Sequence, residues 1–193
     1  MSRLDTVIAA IDAANATDPN TVTVDGQSLP KELVYSQRMT AWLEKFAPDA
    51  PETTRIAARA QHIERWTHPR SDYPMTRTGY YEWRTNLGVF HGERTAELMQ
   101  AADYTNEEIE TVKRLLRKER IKQNADVQEL EDIICLVFIE HYLEDFSKDY
   151  TEEKLIDIIR KTWRKMSDKG HQAATTIPLP NHISTVLTKA LTD

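Results

Sequence analysis

The chain has 193 residues, 40% of them hydrophobic and 29% charged, and a formal net charge of −6. These values predict a folded protein with a buried core, exclude a disordered chain, and argue mildly against a broad nucleic-acid-binding surface. The single cysteine, Cys135, excludes an internal disulfide. No apolar run reaches the roughly 18 residues of a membrane span. With no hydrophobic signal core near Met1, we expect a cytoplasmic protein.

Apolar residues spaced three and four apart, with only five glycines, predict an all-α protein. A first helix starts near Leu4 and ends before Asp18. Asp25-Gly26 is a turn signal that short extended segments can flank. A second helix runs from about Leu33 to Pro48. A third opens at Pro51-Glu52 and extends far enough to carry His62 and Arg65 on one face.

Prolines at 69 and 74 predict a loop, followed by a long helix over about residues 80–102. Thr105 to Glu108 is a capping box for the next helix. Residues 127–146 are the most apolar segment and predict a central helix, and Thr151 caps another. We predict a single-domain helical bundle over residues 1–193, with a core of about 4–168 and a loosely specified tail, 169–193, that ends in a short helix.

Histidines and acids suggest a site. His62 precedes Glu64 by two residues, and His91 opens a second polar segment. Imidazole and carboxylate suit a metal ion or acid-base chemistry, although a single histidine more often serves as a hydrogen-bonded core residue. Glu131 and Asp132 lie between Leu130 and a strongly apolar stretch. Either at least one of them faces inward and needs a partner, or both only favour the helix dipole.

Arginine and tyrosine are concentrated between the two histidines, and these side chains suit a phosphate or another anion, with tyrosine able to stack on a base. The alternative is a structural loop whose arginines pair with acids. The candidate substrate-binding residues are Arg70, Tyr73, Arg77, Tyr80 and Arg84. No phosphate-binding glycine loop, HExxH zinc pair or GxSxG elbow is present.

Residues 57–66, 70–84, 90–91, 130–132 and 161–167 together resemble a family of domains of unknown function, number 4202, over about residues 4–170. This resemblance implies no activity. A more distant similarity is to the HD superfamily of helical, metal-dependent phosphohydrolases. The segments 32–38, 61–66 and 91–99 and Asp132 resemble its metal-binding segments, but Tyr35 stands at a histidine position and Gln61 and His62 replace the His-Asp pair.

The HD resemblance implies an HD-like core and a divalent metal ion held by His62, His91 and Asp132, with Glu64 or Glu131 as a fourth ligand or catalytic base. The leading hypothesis is a phosphohydrolase of a small phosphorylated or nucleotide-like substrate. Its rival is a non-catalytic anion-binding or protein-interaction module. Both predict that the three metal-ligand candidates converge on one cavity, with Arg77 or Arg84 at its mouth.

Overall fold

The computed structural model describes residues 1–192, which are mainly helical and divide into two compact units. The first unit is Met1–Arg120, and the second begins at Ile121. The predicted helical class is confirmed. No helix among the described residues combines the length and the apolar character needed to cross a membrane.

The first unit contains five α-helices, two short 3₁₀ helices (Arg65–Thr67 and Arg70–Asp72) and one hairpin. Its elements are α1 (Arg3–Asn15), β1 (Thr21–Val24), β2 (Gln27–Pro30), α2 (Lys31–Phe46), α3 (Glu52–Ala60), α4 (Arg77–Gln100) and α5 (Asn106–Leu116). Helix α3 contacts α1, α2 and α5, and α4 contacts α5. Each helix places apolar side chains inside this unit, with Ile11, Met39, Ile56, Met99 and Val112 fully buried.

Local signals explain where several of these elements begin and turn. Asp25 and Gly26 have φ angles of 50° and 78°, which two-residue hairpin turns require, and they join the antiparallel strands. Thr105 and Glu108 form the predicted capping box at the start of α5. The turn and the cap were both readable from the sequence.

The third helix is shorter than predicted. Helix α3 ends at Ala60, and His62 lies in a turn beyond it. Glu64 adopts a left-handed φ of 48°, and its N–H donates to Asn15 Oδ1 on α1 at 3.0 Å. Asn15, from a different helix, therefore accepts the hydrogen bond from the backbone N–H of Glu64 in the turn where α3 stops. The predicted helical face through His62 does not form.

The second unit contains α6 (Ala125–His141), α7 (Leu143–Ser147), α8 (Glu152–Lys165), α9 (Asp168–Ala174) and α10 (Asn181–Thr192). Helix α6 contacts α7, α8 and α9, and α10 contacts α8. The predicted central helix over 127–146 is divided after His141. Two helices occupy the predicted tail, where Ile183 is 1% exposed, so this segment is packed within its unit.

Candidate functional site

The first unit contains a partly open cavity of about 410 Å³. Three segments form its walls: the turn after α3, one face of α4, and the turn after α5. The lining residues are Gln61, His62, Arg65, Tyr81, Arg84, Thr85, Leu87, Gly88, Val89, His91, Leu116, Arg117, Lys118 and Glu119.

Helix α4 presents Tyr81, Arg84, Thr85 and Gly88 at spacings of three and four, so they share one face. Gly88 lets α4 approach the end of α5, because a Cβ there would lie 3.3 Å from the carbonyl oxygen of Leu116. The close approach brings the cations that follow α5 to the cavity wall.

His62 is fixed by two oppositely charged neighbours. Its Nδ1 lies 3.0 Å from Glu32 Oε2, and Arg65 Nη1 lies 2.6 Å from its Nε2 and 3.2 Å from its Nδ1. The Tyr35 ring stacks on the imidazole at 3.8 Å. Because guanidinium only donates and carboxylate only accepts, the partners favour a neutral ring with its proton on Nδ1.

Burial lowers the pKa of His62 well below its ordinary value, and the positive charges of Arg65, Arg84 and Lys118 lower it further. Burial likewise lowers the pKa of His91 well below its ordinary value, with His62 and Arg65 adding to the effect. Both imidazoles are therefore neutral near pH 7, and the cavity's positive charge comes from arginine and lysine.

Three lining residues hold buried polar atoms without a hydrogen-bond partner in the described chain: Gln61 Oε1, His91 Nε2 and Arg117 Nε. His91 is 3% exposed and Gln61 4%. Buried polar groups in proteins are nearly always paired, because an unpaired one costs about 1–3 kcal/mol. All three atoms belong to residues of the cavity wall but are themselves buried, so a ligand could pair with them only after a shift of the side chain.

The lining is strongly cationic. It contains Arg65, Arg84, Arg117 and Lys118, against one carboxylate, Glu119. Within residues 1–192, Arg84 forms no hydrogen bond or ion pair. Arg117 reaches Glu93 at 3.1 Å and Glu119 at 3.8 Å, which leaves its Nε unpaired.

Of the five arginine and tyrosine candidates, Arg84 lines the cavity. Tyr80 is 45% exposed and lies outside the lining, next to Tyr81, which does line it. Arg77 lies over the Tyr81 ring, 5.6 Å from its centre. The binding roles of Tyr80 and Arg77 stay predictions.

Arg70 and Tyr73 hold the loop together. The Arg70 guanidinium donates to the carbonyl oxygens of Tyr73 and Pro74 at 2.9 and 2.7 Å, and to that of Thr76 at 3.3 Å. The Tyr73 hydroxyl accepts from Asn86 Nδ2 at 3.2 Å. Arg70 therefore supports the loop through backbone carbonyl oxygens rather than through the acids that the structural-loop alternative predicted, and the binding roles of this pair stay predictions.

The predicted catalytic acids have partners of their own. Glu64 forms an ion pair with Arg94 at 2.8 Å. Glu131, in the second unit, is 3% exposed and lies 3.7 Å from Lys165 Nζ. Neither is among the residues that line the cavity.

Asp132 organises the second unit. Its carboxylate accepts from the backbone N–H and hydroxyl of Ser167 and from Gln128 Nε2, which ties α6 to the start of α9. A Cβ on Gly170 would lie 2.7 Å from Asp132 Oδ1, so glycine lets α9 approach this carboxylate. The inward-facing alternative for Asp132 is confirmed, with a serine as its principal partner.

The cavity residues do not fit the divalent metal ion that the HD resemblance implies. No group of three or more His, Cys, Asp or Glu side chains in residues 1–192 is arranged to hold a metal. His62 and His91, with ring centres 6.2 Å apart, belong to the first unit, and Asp132 belongs to the second. Arg65 lies against His62 Nε2, where its charge would repel a cation. The metal ion stays a prediction.

Sequence reasoning missed several residues of the site. Glu32, 7% exposed, does not line the cavity but contacts His62 behind its wall, and it is a buried acid in the first turn of α2. Arg117 and Lys118 follow the apolar pair at the end of α5, in a run where Lys118 and Arg120 take left-handed φ angles of 55° and 58°. A basic run directly after a capped helix was the available signal.

The comparisons with known proteins give one match. No curated protein and no solved structure matches the chain significantly. A family model described as a domain of unknown function, DUF4202, matches residues 5–187. That match covers nearly all of both units, and the chain therefore belongs to the DUF4202 family.

Proposed function

We propose that the cavity of the first unit binds a small phosphorylated or nucleotide-like anion. The observation that carries this proposal is the cationic lining, in which Arg65, Arg84, Arg117 and Lys118 face one carboxylate. Planar arginine donors match the oxygens of a phosphate, and a hydrogen bond to a charged group contributes about 1.5–3 kcal/mol.

Arg84 supports the proposal most directly. Burial lowers the pKa values of both Arg65 and His62, and the charge of Arg84 lowers them further, so in the protein alone Arg84 disfavours positive charge on these neighbours. An arginine that forms no ion pair beside other cations costs stability unless an anion compensates for it. Binding a phosphate gives this residue a partner.

The cavity volume sets the size of the ligand. Pockets for small organic ligands and cofactors measure about 300–1,000 Å³, and 410 Å³ falls within that range. Tyr81 and Val89, at 55% and 40% exposed, add apolar surface to the wall. An organic phosphate therefore fits the size and lining better than a bare inorganic ion.

Hydrolysis of such a phosphate, on an HD-like helical core, is the second candidate function. The observation that favours it is the Glu32–His62 pair, since a carboxylate hydrogen-bonded to an imidazole is a common acid-base arrangement. The rival is a binding module without catalysis. Release of inorganic phosphate from a panel of nucleoside and sugar phosphates distinguishes them.

Binding is tested by thermal shift with inorganic phosphate, pyrophosphate and nucleoside monophosphates, each with and without EDTA. A ligand present at 100 times its Kd stabilises by about 2.7 kcal/mol, which raises the Tm by about 5–10 °C for a chain of this size. Stabilisation by an anion despite EDTA supports an anion cavity. Stabilisation that EDTA abolishes supports the metal-dependent phosphohydrolase.

Arg84→Met is the decisive variant. Since Arg84 has no bonded partner in the described chain, we expect the variant to fold with unchanged or slightly higher stability and to bind about 10- to 100-fold more weakly. Arg114→Met is the matched control, because exposed Arg114 contacts Thr111 on α5 and lies outside the cavity. Equal affinities for the Arg84 variant and the wild type contradict the proposal.

A further inference from the structure

The position of Arg65 determines whether the cavity suits a cation or an anion. Its guanidinium contacts His62 Nε2 at 2.6 Å and lies over the Trp83 ring, 5.0 Å from its centre. Trp83 is itself fixed, because its indole N–H donates to the carbonyl oxygen of His68 at 2.9 Å. The guanidinium is therefore held between an imidazole and an indole at the cavity wall.

Glu32 completes the arrangement from the other side of the imidazole. With Glu32 accepting from Nδ1–H, Nε2 becomes the acceptor, and a donor such as Arg65 is its natural partner. The side chains of Glu32 and His62 are 10% and 15% exposed, so water has little access to this chain of contacts. Arg65 keeps donors beyond the one that His62 uses.

We propose that Arg65, positioned by the Glu32–His62 pair, takes the place of the divalent cation that the HD resemblance implies, so that this cavity holds its phosphate without a metal ion. The inference rests on the proposed anion-binding function and specifies how that site works. A fixed guanidinium supplies the positive charge and planar donors that a phosphate needs. His62 and Glu32 are positioning residues, since they act on the ligand through Arg65.

Isothermal titration of EDTA-dialysed protein with inorganic pyrophosphate tests the inference, with EDTA or Mn²⁺ in parallel samples. We expect Kd values that agree within about twofold across the three conditions, calculated for the pyrophosphate that Mn²⁺ leaves uncomplexed. Arg65→Ala should weaken binding at least about tenfold, with partial recovery in Arg65→Lys, which keeps the charge without the planar fork. Arg114→Ala, altered outside the cavity, is the control and should bind as the wild type does.

A double-mutant cycle tests the positioning role. If His62 acts through Arg65, then His62→Ala weakens pyrophosphate binding in the wild type but has little further effect in Arg65→Ala. Independent, additive losses overturn the positioning role. Arg65→Lys and His62→Gln serve in the same cycle if an alanine variant does not fold.

The possible failures are distinct. If pyrophosphate and the other phosphate probes do not bind to the wild type, the proposed function itself fails. If pyrophosphate binds only with Mn²⁺, or if Co²⁺ gives visible absorption bands that His62→Ala removes, the site is a metal site and the inference is overturned. Unchanged pyrophosphate affinity in Arg65→Ala also overturns it.

Discussion

Two glycines on α4 provide a matched test of how closely α4 and α5 approach one another. A Cβ on Gly88 would lie 3.3 Å from the carbonyl oxygen of Leu116 and 3.4 Å from Arg117 Cα, both backbone atoms. A Cβ on Gly92, one turn later, would lie 3.4 Å from Lys113 Cγ, 3.5 Å from its Cα and 3.6 Å from its Cβ, all at ordinary van der Waals distance. The contact at Gly88 is tighter than this, and the carbonyl oxygen of Leu116 cannot move aside without shifting a helix.

The two alanine substitutions should therefore differ in sign. Replacing glycine by alanine inside a helix gains about 0.8–1.0 kcal/mol from helix propensity. At Gly92 we expect most of this gain, about 0.5–1 kcal/mol. At Gly88, overpacking against backbone costs about 1–3 kcal/mol, which leaves a net loss of about 0–2 kcal/mol.

Urea unfolding followed by tryptophan fluorescence measures the difference. With an m value of about 2 kcal/mol/M, a separation of about 1 kcal/mol between the variants appears as about 0.5 M in the midpoint. Because Gly88 and Arg117 line the cavity, Gly88→Ala should also weaken pyrophosphate binding, and Gly92→Ala should not. Equal stabilisation by both substitutions would refute a tight approach at Gly88.

Two further predictions concern stability. Arg59 donates to both oxygens of Asp12 at 2.6 Å and to Thr40 Oγ1 at 3.0 Å, which joins α3 to α1 and α2. Because the Asp12 side chain is 32% exposed, we expect Arg59→Met to lower the free energy of unfolding by about 2 kcal/mol, less than the 3–5 kcal/mol of a fully buried pair. An unfolding midpoint equal to that of the wild type would contradict this. The hydrogen bond from Arg3 lowers the pKa of Glu108 to about 2, below its ordinary 4.5, so its contribution is complete above pH 4.5 and lost as the pH falls towards 2. The stability difference between wild type and Glu108→Gln should shrink over that interval; a difference that stays constant from pH 6 to pH 2.5 would argue against the Arg3 contact.

Contacts between residues near in sequence were predictable. Apolar spacing located most of the helices, Thr105 and Thr151 marked two helix starts, and Asp25-Gly26 marked the hairpin turn. Each signal acts between residues within about four positions of each other, through a cap, a turn or one helical face. These local signals therefore do not depend on where the segment packs in the fold.

The partners of the site residues depend on packing. From residue type alone, His62, His91 and Arg84 were predicted to be site residues. The same reasoning predicted that His62 lies on a helix and that Glu64 is its nearby acid. In the fold, α3 stops at Ala60 and Glu32, 30 residues away along the chain, reaches His62.

Asn15 on α1 satisfies the turn where α3 stops, and Gly88 brings α4 close enough to α5 for Arg117 to reach the cavity. Residue type and local spacing thus determined which side chains can carry charge or a proton. Which charges meet, and which stay unpaired in the cavity, was decided only when the helices packed, because ion pairs and burial join residues that have no fixed separation along the chain.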